Sequence, residues 1–336
     1  MDYFGTMQAG TVLVQEELAA TLKRIAEHGP ADFYSGQTAE LLVAQMERDG
    51  GLITQEDLTS YRAKWRTPLV IDWHDYQLVT APLPSSGGIA LAQLLGLKER
   101  LAEHFEGVEH NSPQYVHLIA EIEKRVFADR ADYLGDPEFV DVPQAQLLAD
   151  SYLDRRAAEI NPHAISVTEN VKPGLESYNT THFSILDQYG NAVSNTYTLN
   201  LSYGNGVVVE GAGFLLNNEM DDFSAKPGMP NAFGVVGSDA NAIEPGKRML
   251  SSMSPSILVK DDNVAMVIGT PGGSTIFTSI FQVINNVYDF GMSLQEAVSA
   301  PRFHHQLLPQ DQITMEPYGQ LSEATQAQLQ EWGYHL

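Results

Sequence analysis

A threonine at the entrance to a strand is the residue of this chain best placed to do chemistry. Ser177-Tyr178-Asn179-Thr180-Thr181-His182 leads out of a loop-like stretch into the alternating run Phe183-Ser184-Ile185-Leu186-Asp187. Cleavage of the Asn179–Thr180 bond would give Thr180 a free α-amine beside its own hydroxyl. Such an amine has an ordinary pKa of ~8, so near neutrality part of it is unprotonated and can accept the hydroxyl proton. Nucleophile and base would then be one residue. Taken alone, the hexapeptide favours the plainer reading, a Thr-rich strand start with an unused Asn-x-Thr sequon, because a motif counts only in its structural context.

Acyl transfer also needs donors for a developing oxyanion and polar groups that orient the substrate. Gly272-Gly273, in Pro271-Gly272-Gly273-Ser274, stands at a strand-to-helix turn where two adjacent backbone N–H groups can face one oxygen. No Gly-Lys-Ser/Thr follows, which sets a phosphate loop aside. Ser251-Ser252-Met253-Ser254-Pro255 gathers hydroxyls just before a strand, where turn chemistry is the plain alternative. Asn217-Asn218-Glu219-Met220-Asp221-Asp222-Phe223 puts three carboxylates and two amides into seven residues, suited to an ammonium group or, as a bare string, to a solvated loop. It lacks the spacing of a calcium loop. His304-His305 fall on opposite sides of any strand, and no His-Glu-x-x-His occurs, so the histidines read as structural and no metal is expected. Pro84-Ser85-Ser86-Gly87-Gly88 lacks the Gly-x-Ser-x-Gly form and reads as a helix cap.

The elements that must carry these groups change character near residue 180. Before it the pattern is mainly helical: Leu18, Leu22 and Ile25 at helical spacing with a stop at Gly29-Pro30, then Gln37 to Arg48 ending in Asp49-Gly50-Gly51. A strand over 76–81 precedes an apolar helix reaching about Phe105, and Pro113 opens a long amphipathic helix to Leu134. Residues 161–178 read as a polar linker. After 180, residues 181–187 and 191–198 alternate as a hairpin, 207–210 and 214–216 are short strand candidates, and 256–260 with 264–269 make a second hairpin. A long apolar helix follows from Thr275 to about Tyr288, and Ser293-x-x-Glu296 is a capping box. Hairpins flanked by helices on both sides fit antiparallel sheets with helices on their outer faces.

Length and composition narrow the rest. The 336 residues, 43% hydrophobic and 18% charged, suit one large globular domain or two ordinary ones. With 19 Lys+Arg against 43 Asp+Glu, the net charge is −24, a field that repels phosphate backbones and anionic membranes and argues against nucleic-acid binding. The absence of cysteine removes thiolate nucleophiles and disulfides. No run approaches the ~20 apolar residues of a membrane span, and Met1-Asp2-Tyr3-Phe4-Gly5 carries no secretory signal.

The ordered set of blocks strongly resembles the γ-glutamyltranspeptidases. It comprises Thr180-Thr181-His182, Thr196-Tyr197-Thr198-Leu199-Asn200, Leu215 through Phe223, Leu250 through Pro255, Pro271 through Ser274, and Ala300-Pro301-Arg302-Phe303-His304-His305. Upstream, Gly51-Leu52-Ile53-Thr54, Arg66-Thr67-Pro68, Pro84 through Gly88, Ala128-Asp129-Arg130 and Tyr133 through Pro137 continue the likeness over essentially the whole chain. The resemblance implies an α+β fold, the four-layer αββα sandwich of the N-terminal-nucleophile hydrolases, made as a precursor that cuts itself between Asn179 and Thr180. Residues 1–179 would be the C-terminal part of a large subunit and 180–336 the small catalytic subunit, one intertwined domain overall. Thr180 would be the nucleophile, with Thr198 on its hydroxyl. Gly272 and Gly273 would hold the oxyanion. Asn200, Glu219 and Asp222 would take the donor's α-amino end, and Ser251 and Ser252 its α-carboxylate. Phe233 would sit in a lid over 227–238.

The implied donors are glutathione and other γ-glutamyl compounds, the acceptors amino acids, peptides or water, with no cofactor and a periplasmic or extracellular location. The alternatives are a related acylase, a γ-linked polymer hydrolase, or an inactive fragment of such an enzyme. In the family an upstream segment supplies an Arg that clamps the donor carboxylate, and strands follow the present C-terminus. The chain is therefore expected to be an interior piece of a longer precursor.

Overall fold

The computed structural model describes residues 5, 8–167, 180–229, 231–232, 234–316 and 318–336; the expected cleavage residue Asn179 and the expected lid residue Phe233 lie outside the described residues. Two units emerge, each drawing on both sides of residue 180: the chain up to Arg66 with Leu199–Asn218, and Thr67–Thr198 with Glu219–Leu336.

In the first unit, α1 (Glu16–His28) and α3 (Gln37–Asp49) form where the periodicity predicts them, and two short helices that the pattern did not announce, α2 (Ala31–Ser35) and α4 (Gln55–Ser60), join them. Gly50 ends α3 at φ 72°, the left-handed conformation that glycine tolerates best. Ala39, Leu42 and Met46 of α3 pack with Leu58, Val209 and Ala212. The apolar stripe of α1 is only partly covered, with Leu22 exposed; its buried anchor is instead Thr21, which donates to the Ala212 carbonyl at 2.8 Å. The strands expected over 207–210 and 214–216 do not form. A single bridge, Val208 to Leu215, joins them, because Gly211 and Gly213 turn the chain with positive φ before a ladder can build.

The second unit begins with β1 (Leu69–Trp73) and β2 (Tyr76–Thr80), then α5 (Gly87–Arg100), α6 (Ala102–Phe105), α7 (Pro113–Tyr133), α8 (Gln144–Leu147) and α9 (Asp150–Ala158). The hairpins β3 (Thr181–Leu186) with β4 (Ala192–Tyr197) and β5 (Ser256–Lys260) with β6 (Asn263–Ile268) follow, then α10 (Ile276–Tyr288), α11 (Leu294–Ser299), β7 (Phe303–His304), β8 (Thr314–Met315) and α12 (Glu323–Trp332). An antiparallel sheet runs in the order β1-β2-β5-β6, with α5 packed against β1. There α5 packs on α7 and α10, and Tyr288 at the end of α10 stacks edge-on against Trp73 at 5.5 Å.

Register decides where loops emerge. Leu69 pairs with Thr80, Thr80 with Ser256, and Ser256 with Ile268. The segments after β2, before β5 and after β6 therefore leave the sheet at one end. The β3–β4 hairpin is tied to that end by Ser184, which donates to the Val267 carbonyl at 3.3 Å, and Ser194, which donates to the Ile268 carbonyl at 3.0 Å. The strand behind Thr180 is largely exposed: Ile185 is 52% and Leu186 59% accessible. The hairpin meets β6 through the Ser184 and Ser194 hydroxyls. Among the described residues, no helix is long and apolar enough to cross a membrane.

Candidate active site

Most of the sequence-expected site residues of the second unit gather at this one end. Thr180 immediately precedes β3, and its Oγ1 donates to Thr198 Oγ1 at 3.4 Å, just past the end of β4. The pairing of Thr181 with Tyr197 makes these two threonines neighbours. His182 bonds Thr196 Oγ1 through Nδ1 at 2.8 Å and Ser184 Oγ through Nε2 at 3.0 Å. Its ring fills the space a side chain at Gly269 would need, which brings the start of β3 against the end of β6, three residues before Gly272.

Gly272 and Gly273 adopt φ 139° and 56°, so a side chain at either position is strained. The Gly272 carbonyl is occupied by the Thr275 N–H at 3.0 Å and the Thr275 hydroxyl at 2.9 Å. The turn is thereby closed on its carbonyl side, and its amides lie at the N-terminal, positively polarised entry to α10. Behind it, the Ser274 hydroxyl donates to Gln306 Oε1 at 2.7 Å, an oxygen that His304 Nε2 also meets at 3.0 Å. His304 and His305 are buried, as a structural role requires.

Ser251 and Ser252 are held by the segment read from sequence as a helix cap. Ser86 stands at the N-cap of α5 but makes no side-chain cap bond. Its hydroxyl and its N–H both donate to the Ser251 carbonyl, each at 2.7 Å. Ser85 donates to the Met253 carbonyl at 2.6 Å. The next two residues must be glycine for packing reasons: a Cβ at Gly87 would strike Ser254, and one at Gly88 would strike the Ala81 carbonyl.

The acidic cluster divides by role. Glu219–Asp222 forms a single 3₁₀ turn. Asp221 accepts the Ala232 N–H at 2.9 Å and so fastens the following loop. Glu219 and Asp222 are half-buried. Desolvation pushes Glu219 up to about 7; desolvation and the Glu219 charge push Asp222 up to about 8, against the pull of Arg130. Two carboxylates held this way favour an arriving cation. Asn241, for which the sequence held no signal, ties the turn to the serines: its Nδ2 donates to the Asp222 carbonyl at 2.7 Å and its Oδ1 accepts the Leu250 N–H at 3.0 Å. Among the described residues, no group of three or more His, Asp or Glu side chains is arranged to hold a metal.

Asn200 belongs to the first unit. It sits buried at φ 73°, and its Nδ2 donates to the Asn218 carbonyl at 3.1 Å. That bond, with the Leu201 N–H donating to Asn218 Oδ1 at 3.1 Å, closes the base of the 199–218 excursion.

Residues 3–336 match the family model described as Gamma-glutamyltranspeptidase. The glutathione hydrolase proenzyme of Pseudomonas aeruginosa is 66% identical over 335 residues, which is 100% of this chain and 60% of that protein. The glutathione hydrolase proenzyme of Escherichia coli is 47% identical over 92% of this chain and 54% of its own length. The chain thus spans little more than half the length of the curated relatives it matches. Among solved structures, a cephalosporin acylase from Bacillus halodurans superposes with a TM-score of 0.81 at 28% identity, over 99% of this chain and 58% of that one. The fold is accordingly α+β and of the N-terminal-nucleophile hydrolase type, as the resemblance implied.

Proposed function

We propose that this chain, which belongs to the γ-glutamyltranspeptidase family, carries the catalytic centre of an enzyme that transfers and hydrolyses the γ-glutamyl group of glutathione and similar donors. The observation that carries the reading is the Thr180–Thr198 hydroxyl pair at the sheet end that also bears Ser251-Ser252 and Gly272-Gly273. In this reading the precursor cuts itself between Asn179 and Thr180, so 1–179 and 180–336 become large- and small-subunit parts, and the new α-amine is the base. Thr180 Oγ1 attacks the donor's γ-carbonyl carbon while its proton passes to the amine. The oxygen that gains the electron pair is met by the Gly272 and Gly273 amides. Collapse expels the donor's amine, which leaves with the proton, and a γ-glutamyl ester remains on Thr180. Water or an acceptor amine resolves it in a second, mirrored step.

Glu219 and Asp222 would hold the donor's ammonium, and the Ser251 and Ser252 hydroxyls its α-carboxylate. Action in the periplasm or outside the cell goes with this reading. The experiment is to incubate the purified full-length protein with glutathione and follow glutamate and cysteinylglycine. Release that depends on Thr180 supports the proposal; a wild-type protein that leaves glutathione intact but releases cephalosporin side chains would instead make it an acylase.

A further inference from the structure

Arg130, part of a block that continues the family likeness but given no role by it, is a buried cation. It lies near the C-terminal end of α7 and is 7% accessible. Its Nε donates to Ser86 Oγ at 3.0 Å and its Nη2 to Ser252 Oγ at 3.3 Å. Ser86 in turn grips the Ser251 carbonyl, so one guanidinium braces both serines, Ser252 directly and Ser251 through Ser86. Burial lowers its pKa to about 10, which leaves it charged at neutral pH, and its field attracts Asp222 through space.

The consequence lies in hydroxyl valence. A serine hydroxyl has one proton to give and two lone pairs to receive. Ser252 receives from Arg130 and Ser251 receives from the Met253 N–H at 3.1 Å. With an oxygen lone pair engaged by the protein, each hydroxyl has its proton to offer, which is what a carboxylate acceptor requires.

We propose that Arg130 is a positioning residue for the donor's α-carboxylate: by donating to the Ser252 oxygen it turns the Ser252 proton toward that carboxylate, while its own charge opposes the Glu219–Asp222 pair across the donor's zwitterionic head. This rests on the γ-glutamyl reading above. It also assigns a role to a cation within this chain, separate from the upstream Arg that the resemblance implies.

The test uses the mature full-length enzyme and two probes, γ-glutamyl p-nitroanilide and 4-aminobutyryl p-nitroanilide, which differ only in the α-carboxylate. Arg130→Met is expected to lower kcat/KM for the first roughly ten- to hundredfold, the range of one lost charge-assisted bond, chiefly through KM. The second should change by less than about threefold, so the preference for the carboxylate shrinks. Arg130→Lys, which keeps the cation with least disturbance to folding, should recover part of that preference, and Arg130→Met should add little on a Ser252→Ala background. Equal loss on both probes, or full additivity with Ser252→Ala, assigns Arg130 to general packing and overturns the proposal. A wild-type enzyme inactive on the first probe overturns the γ-glutamyl reading and the Arg130 role with it, whereas an active wild type with an unchanged preference in both Arg130 variants removes the Arg130 role alone.

Discussion

The His182 imidazole occupies the space in which a side chain at Gly269 would begin. This contact joins the strand that follows Thr180 to the strand that leads into Gly272-Gly273, so the proposed nucleophile and the proposed oxyanion turn share one seam. Gly269→Ala should force the two apart. Overpacking of this kind costs ~1–3 kcal/mol, and both thermal stability and turnover should fall. His182→Ala empties the space, so the double variant should be more stable than Gly269→Ala alone. A double variant no better than the single one would mean that the seam is not where the strain arises.

Maturation gives the most direct check on Thr180. Thr180→Ala in the full-length precursor should stay uncut, because alanine has no hydroxyl to attack the preceding carbonyl. Thr180→Ser should still be cleaved. Denaturing gels and N-terminal sequencing distinguish the outcomes, and a mature fragment starting anywhere but residue 180 would remove Thr180 from the mechanism.

Donor binding should release a proton near neutrality. Asp222 is raised to about 8 and Glu219 to about 7, so at pH 7 the pair is partly protonated. An ammonium group binds the ionised forms, hence kcat/KM for donors should rise with pH toward about 8 and fall on acidification. Titration calorimetry of L-glutamate in buffers of different ionisation enthalpy reads the proton directly. Asp222→Asn should abolish most of the release and weaken binding at least tenfold; unchanged release would return this turn to a solvated loop.

Glu123 on α7 is a buried acid with a stability signature. It accepts the His305 N–H at 2.8 Å through Oε2, while Oε1 has no partner. Desolvation raises it from 4.5 to about 8, with His304 opposing. Between those values the unfolded chain ionises and the folded one keeps its proton, so stability falls as pH rises, by up to ~1.4 kcal/mol per pH unit. Glu123→Gln keeps an acceptor for His305 and cannot ionise. It should therefore be the more stable protein at pH 7 and show a shallower pH dependence of Tm from 5 to 8. Parallel curves for the two proteins would place the Glu123 pKa in the ordinary range.

By itself the sequence determined the elements whose signals are local. Ser293 and Glu296 close a capping box three residues apart, Asp261 and Asp262 turn the β5–β6 hairpin with positive φ, and α3 stops at Gly50. Each is settled by neighbours within one turn, so each was legible in order and spacing. The ordered blocks also point to Thr180, Thr198, Ser251, Ser252, Gly272 and Gly273. Only the tertiary structure decided how those residues are held. Ser86 reaches Ser251 across 165 positions and Arg130 reaches Ser252 across 122, and no periodicity encodes such pairings. The same is true of exposure. The alternation of β3 announces a strand, but whether Ile185 and Leu186 are covered depends on what packs against the hairpin, and they stay exposed while Ser184, Ser194 and His182 meet the β6 end.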